Sequence, residues 1–181
     1  MTGNKYFSRS FKLVIAWVAC FLLRLIPFKT PNIEPIMATQ MPFAKKFGKL
    51  TGFAFGFLSI VVFDFVSGKV GIWTWITALT YGLLGVGAAI FFKKLKNSRF
   101  LYLKYAIIGT IIYDAITGLT IGPLMFHMSF RDAFMGQIPF TAMHLLGNSI
   151  SALIISPLIY KWIVMNENLD LGIWWKKLAK N

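Results

Sequence analysis

Long apolar runs separated by short polar segments divide the chain into six parts. All runs except the second contain at least about 17 residues, long enough for an α-helix to cross a bilayer. The pattern therefore predicts an all-α integral membrane protein, a single domain over residues 1–181 with six transmembrane helices. The predicted helices cover residues 11–27, 35–47, 50–66, 72–92, 100–121 and 138–164.

Composition supports placement in a membrane. Hydrophobic residues make up 57% of the chain and charged residues 14%, and the mean hydropathy is +0.67. These values are typical of a bilayer protein rather than of a soluble domain. A net charge of +13 would indicate nucleic-acid binding in a soluble protein, but here the basic residues form short clusters between apolar runs, as membrane topology requires. We therefore expect a lipid bilayer, and no nucleic acid, among the partners.

The distribution of lysine and arginine predicts the orientation. With six crossings, fifteen basic residues fall on one side of the membrane and only Arg24, Lys29, Lys69 and Arg131 on the other. Because short cytoplasmic loops carry an excess of basic residues, both termini are predicted to lie in the cytoplasm.

The second apolar run is too short for an ordinary crossing. As a helix, residues 35–47 would rise only about 20 Å, whereas the hydrocarbon core is roughly 30 Å thick. Residues 30–35 precede it and contain two prolines, which forbid a regular helix. Short spans interrupted by proline are typical of transporter binding sites, so a polar cavity is expected beside this segment.

An internal repeat relates residues 61–68 to residues 111–118, fifty positions apart. It aligns Asp64 with Asp114 and predicts helical hairpins repeated in parallel, with Arg24 of the first hairpin at the same depth. Because an isolated charge inside a bilayer is costly, these three residues are expected to converge. They would form either a structural ion-pair cluster or a site that leaves one charged group for a solute.

Five further residues are candidates for substrate binding. Glu34 and Asn32 lie in the interrupted segment and could bind substrate or cap a loop in external water. Trp75 could stack on a flat ligand or anchor at the membrane interface. His144 and Asn148 share one face of the last helix, where they could bind substrate or form hydrogen bonds between helices.

Motifs for metals, cofactors and nucleotides are not found in the sequence. The two histidines, His127 and His144, lie far apart without supporting cysteines or a His-x-x-Glu pattern, so no metal or cofactor is expected. There is no Gly-x-x-x-x-Gly-Lys motif, so ATP-driven transport would require a separate ATPase chain. The single cysteine, Cys20, excludes an intrachain disulfide.

Several of these segments resemble the substrate-binding S components of energy-coupling factor (ECF) transporters, in particular their uncharacterised and cobalamin-like members. The similarity extends over essentially the whole chain. It is carried by residues 24–27 (RLIP), 31–36 (PNIEPI), 71–75 (GIWTW), 82–85 (GLLG), 136–142 (GQIPFTA) and 144–148 (HLLGN).

The resemblance implies a substrate-binding subunit in a prokaryotic plasma membrane. It would capture a vitamin-like small molecule outside the cell and dock onto a transmembrane coupling subunit and two ATPase subunits. Many S components present an Ala-x-x-x-Ala motif of the first helix to the coupling subunit. The matching positions here are Ala16 and Cys20, which are expected to form the partner interface because small residues let helices approach closely.

Two other functions are compatible with the sequence. In a membrane-embedded lipid-modifying enzyme, Asp64 and Asp114 would bind Mg²⁺ and a phosphate, although such chemistry usually needs denser acidic motifs. In an accessory structural subunit, every buried polar residue would tie one helix to another. The S component interpretation accounts best for the small size, the broken second span and the charges inside the membrane, so no enzymatic activity is expected.

Overall fold

A computed structural model describes the backbone of residues 3–25 and 34–169 and the side chains of residues 10–25 and 34–169. The described part is helical and contains no β-strand, as the sequence predicts. The helices are α1 (Gly3–Leu25), α2 (Ile36–Phe47), α3 (Lys49–Val66), α4 (Ile72–Phe92), α5 (Arg99–Phe126) and α6 (Phe130–Ile159), followed by a π-helical turn (Tyr160–Val164) and a 3₁₀ turn (Glu167–Leu169).

The helix boundaries agree with the prediction for α2, α3 and α4. They differ at α1, which begins at Gly3 instead of residue 11, and between α5 and α6. α5 continues to Phe126 instead of residue 121, and α6 begins at Phe130 instead of residue 138. Local caps explain the extension: His127 adopts a left-handed conformation (φ 53°) that ends α5, and the Ser129 hydroxyl accepts a hydrogen bond from the Asp132 backbone to start α6. The predicted boundaries followed the apolar runs, whereas these caps lie beyond them.

Four of the described helical segments are long and apolar enough to cross a membrane. They are α3, α4, α5 and the continuous segment from Phe130 to Val164. α2 has only 12 residues and would span about 18 Å, as expected for an incomplete crossing. Of the segment 30–35, which was predicted to complete that crossing, residues 30–33 lie outside the described residues.

The short α2 helix occupies the centre of the bundle. Residues 36–44 are all buried, which is typical of a helix surrounded by protein on every side. α3 packs closely against α4 and α5 against α6, and α2 contacts both of these hairpins. α1 lies at the periphery, in contact with α2, α3 and the closing turns.

The close approach of α2, α3 and α4 depends on glycines and one buried amide. Gln40 of α2 donates hydrogen bonds to the backbone carbonyls of Gly52 (2.7 Å) and Tyr81 (2.8 Å). A Cβ atom on Gly85 would overlap both the Gly52 carbonyl and the Gln40 amide, and one on Gly56 would also collide with Gln40. This crossing fixes α4, and therefore Tyr81, relative to α2.

Candidate functional site

Glu34 links α1 to α4 at one end of the bundle. The Arg24 guanidinium lies 3.4 Å from one Glu34 carboxylate oxygen, and the Tyr81 hydroxyl donates to the other at 3.2 Å. Arg24 also donates to the Ser59 carbonyl at 2.9 Å and lies 3.8 Å from the centre of the Phe63 ring. The charge of Arg24 is therefore offset by a carboxylate, a carbonyl dipole and an aromatic face.

Two hydrogen-bonded pairs connect α5 to α6, and we call them the α5–α6 rungs. Asp114 Oδ1 lies 2.7 Å from His144 Nδ1, and Asn148 Nδ2 donates to the Thr110 hydroxyl at 2.8 Å. The rungs are one helical turn apart because both helices use an i, i+4 spacing. All four side chains are buried. Among the described residues, Asp114 Oδ2, His144 Nε2 and Asn148 Oδ1 have no hydrogen-bond partner.

The predicted three-way cluster of Arg24, Asp64 and Asp114 is replaced by three separate pairings. Arg24 pairs with Glu34, Asp114 pairs with His144, and Asp64 accepts a hydrogen bond from the Thr74 hydroxyl at 2.6 Å. The prediction that the three meet directly is wrong, because each finds a closer partner on a neighbouring element.

All three residues nevertheless act electrostatically on one side chain, that of Tyr113. The Tyr113 side chain lies within electrostatic range of four charged residues, and the three that the sequence grouped are among them. Those charged residues are Arg24, Glu34, Asp64 and Asp114.

A cleft of about 440 Å³ opens among α4, α5 and α6 next to the first rung. Its polar lining includes Thr77, Thr117 and Gln137, and its aromatic lining includes Tyr113 and Phe140.

The aromatic lining forms a floor between the cleft and the first rung. The Tyr113 and Phe140 rings meet the His144 ring edge to face, with centroids 5.7 and 5.8 Å apart. Tyr81 extends this floor, since its ring centroid lies 4.4 Å from that of Tyr113. One layer of side chains therefore separates the cleft from Asp114 and His144.

Other candidates lie elsewhere. Trp75 is half exposed, its ring lies 6.4 Å from that of Phe57, and it is not among the residues that line the cleft. This position fits interface anchoring, so its predicted stacking on a ligand is not supported.

Asn32 lies outside the described residues. Gln137 was not predicted. In the structure a Cβ on Gly118 would collide with the Gln137 side chain, which explains the glycine at that point of the repeat.

The partner interface predicted at Ala16 and Cys20 needs correction. Both side chains are buried, with 0% and 1% exposure, and belong to the hydrophobic core. Small residues four positions apart let a helix approach closely, but here the approaching helices belong to this chain. The face is therefore not accessible to a partner subunit in this arrangement.

Burial of Ala16 leads to a testable contrast with Ala19, which is exposed on the same helix. We expect Ala16→Leu to lower the free energy of unfolding by about 1–3 kcal/mol because the core has no room for the added carbons. Ala19→Leu should change it by less than about 0.5 kcal/mol. Thermal denaturation of the two variants in detergent measures the difference, and equal melting temperatures would contradict the burial of Ala16.

The fold and the cleft define a multi-pass membrane protein with a polar and aromatic cavity between its helices. The family model described as "ECF-type riboflavin transporter, S component" matches residues 13–109, more than half of the chain. The chain belongs to this family of S components, which are substrate-binding subunits of ECF transporters and not enzymes. The cobalamin-like subgroup is not confirmed. Comparisons with curated proteins and with solved structures found no match.

Proposed function

We propose that the protein captures a vitamin-like small molecule in the cleft among α4, α5 and α6 and delivers it through a separate coupling subunit and two ATPase subunits. The observation that carries the proposal is the cleft itself. It combines aromatic rings with a few polar groups, the usual composition of a small-molecule site. Riboflavin is the first candidate ligand because the description of the matching family names a riboflavin transporter.

The proposed topology has six crossings with both termini in the cytoplasm of a prokaryotic cell. α1 has 23 residues and would span about 34 Å, enough to cross a bilayer. Lys12 of α1 donates to the Val164 carbonyl, and Lys45 of α2 to the Leu95 carbonyl, so these basic residues hold segments at the end of the bundle opposite Arg24. The positive-inside rule makes that end cytoplasmic, and the Arg24 end then faces outward.

A ligand screen on the purified protein tests this function. Riboflavin, thiamine, pyridoxine, biotin and cobalamin would each be added before thermal denaturation in detergent. We expect one of them to stabilise the protein by about 2.7 kcal/mol at 100 times its dissociation constant. A panel in which no compound shifts the melting temperature would reject the proposal.

A pair of phenylalanine variants tests the location of the site. Phe140→Ala removes a ring from the cleft, whereas Phe134→Ala removes an exposed ring of the same helix that does not line it. We expect about tenfold weaker binding in the first variant, because loss of ring stacking and of buried area costs about 1.4 kcal/mol. Unchanged binding is expected in the second. Equal losses in both would place the ligand elsewhere.

The alternative of a lipid-modifying enzyme has no support. Asp64 and Asp114 accept hydrogen bonds from different partners, on different helices. In the part of the chain that the structure describes, no group of three His, Cys, Asp or Glu side chains could hold a metal ion.

A further inference from the structure

Negative charge is in excess behind the lining of the cleft, whose own residues are uncharged. Tyr113 lines the cleft and lies within electrostatic range of the three carboxylates of Glu34, Asp64 and Asp114, but of only one guanidinium, that of Arg24. Arg24 is already paired with Glu34.

Asp114 is the most deeply buried of these three carboxylates. It is 1% exposed, so water does not screen it, and its Oδ2 atom has no hydrogen-bond partner among the described residues. The neighbouring rung adds the unpartnered Asn148 Oδ1, a second buried acceptor. Buried acceptors without a donor favour an approaching hydrogen-bond donor or positive charge and disfavour another anion.

We infer that Asp114, held by His144 beneath the aromatic floor, sets the charge selectivity of the cleft. The cleft accepts ligands that are uncharged or cationic and rejects ligands whose buried part carries a carboxylate or phosphate. This inference rests on the proposed function and deepens it by naming the class of substrate. The family match ends at residue 109, so it does not reach either Asp114 or His144.

The physical basis is repulsion across a single layer of side chains. Charges separated by one aromatic ring interact strongly in the low effective dielectric of a protein interior, even without direct contact. For one added negative charge on the ligand, the expected penalty is at least about tenfold in affinity. A carboxylate at the protein surface would be screened by water and salt and would have little effect.

Matched ligand pairs test the inference directly. The pairs are riboflavin and riboflavin 5′-phosphate, thiamine and thiamine monophosphate, and pyridoxine and pyridoxine 5′-phosphate, titrated by calorimetry into the full-length protein at one fixed ionic strength. For whichever vitamin binds, we expect its phosphate to bind at least about tenfold more weakly. Asp114→Asn should reduce the ratio of the affinity for the vitamin to the affinity for its phosphate at least about threefold. The amide keeps the shape of the carboxylate and removes its charge.

Two further variants complete the design. Glu167→Gln removes an exposed carboxylate in the closing 3₁₀ turn and should leave the ratio unchanged. Asp64→Asn removes a second carboxylate near Tyr113 and should reduce the ratio even if Asp114→Asn fails to fold.

The results separate failure of the inference from failure of the proposed function. Equal affinity of the parent protein for a vitamin and its phosphate overturns the inference and leaves the proposed function intact. If Asp114→Asn leaves the affinity ratio unchanged, Asp114 does not set the selectivity. If Asp114→Asn does not fold, an affinity ratio that Asp64→Asn leaves unchanged overturns the inference that the carboxylates around Tyr113 set it. If the parent binds none of the three pairs and no compound in the vitamin screen, the proposed function fails and the inference fails with it.

Discussion

Adding one methyl group at Gly85 is expected to lower the free energy of unfolding by about 3 kcal/mol or more. The Gly85→Ala side chain would overlap the backbone carbonyl of Gly52 and the side-chain amide of Gln40. A backbone carbonyl cannot move aside without separating α3 from α4, so overpacking adds to the loss of the buried Gln40 hydrogen bonds. Thermal or chemical denaturation in detergent, followed by tryptophan fluorescence, measures the change.

Gly136→Ala is the matched control for this prediction. Gly136 lies inside α6, and a Cβ atom there would meet nothing within 4 Å. Because alanine is the better helix former, this variant should gain about 0.5–1 kcal/mol. If both variants lost the same stability, the close crossing of α3 and α4 at Gly85 would be wrong.

The sequence predicts the helices well because apolar run length is a direct signal of membrane burial. The bounds of α2, α3 and α4 differ from the predicted ones by at most one residue. The signal fails where a helix continues past its apolar run, as α5 and α6 do beyond residues 121 and 138. There the helix ends are set by His127 and Ser129, whose caps depend on backbone geometry rather than on hydrophobicity.

The sequence predicts charged residues that lie beside the candidate site, but it predicts neither their pairings nor the residues that line the cleft. The cost of burying charge identifies Arg24, Asp64 and Asp114 from sequence alone, and all three act electrostatically on Tyr113. Which oppositely charged or polar group comes closest depends on how the helices are rotated and packed. That information is absent from a repeat, which aligns depth along the helices and not direction around them.

The same limitation explains the error at Ala16 and Cys20. A pair of small residues marks a face where another helix comes close, but the pattern does not say whether that helix belongs to the same chain. In this protein α1 uses the face to pack on its own bundle.

Breaking the ion pair between Arg24 and Glu34 is expected to cause the second large effect. Their side chains are 8% and 27% exposed, respectively, so removal of Glu34 leaves the more deeply buried charge without its carboxylate. We expect Glu34→Gln to cost about 3 kcal/mol of unfolding free energy. Arg24→Leu should cost somewhat less, because Glu34 is partly solvated and keeps the Tyr81 hydroxyl as a donor.

A double-mutant cycle then distinguishes this pair from the cluster predicted by the sequence. The Arg24→Leu and Glu34→Gln double variant should be more stable than the sum of the single changes implies, by about 1–3 kcal/mol, because it removes both members of the ion pair together. The matching cycle of Arg24→Leu with Asp114→Asn should show coupling below about 0.5 kcal/mol, since Asp114 is paired with His144. A larger coupling of Arg24 to Asp114 than to Glu34 would mean that Arg24 turns toward α5. The pairing of Arg24 with Glu34 would then be wrong.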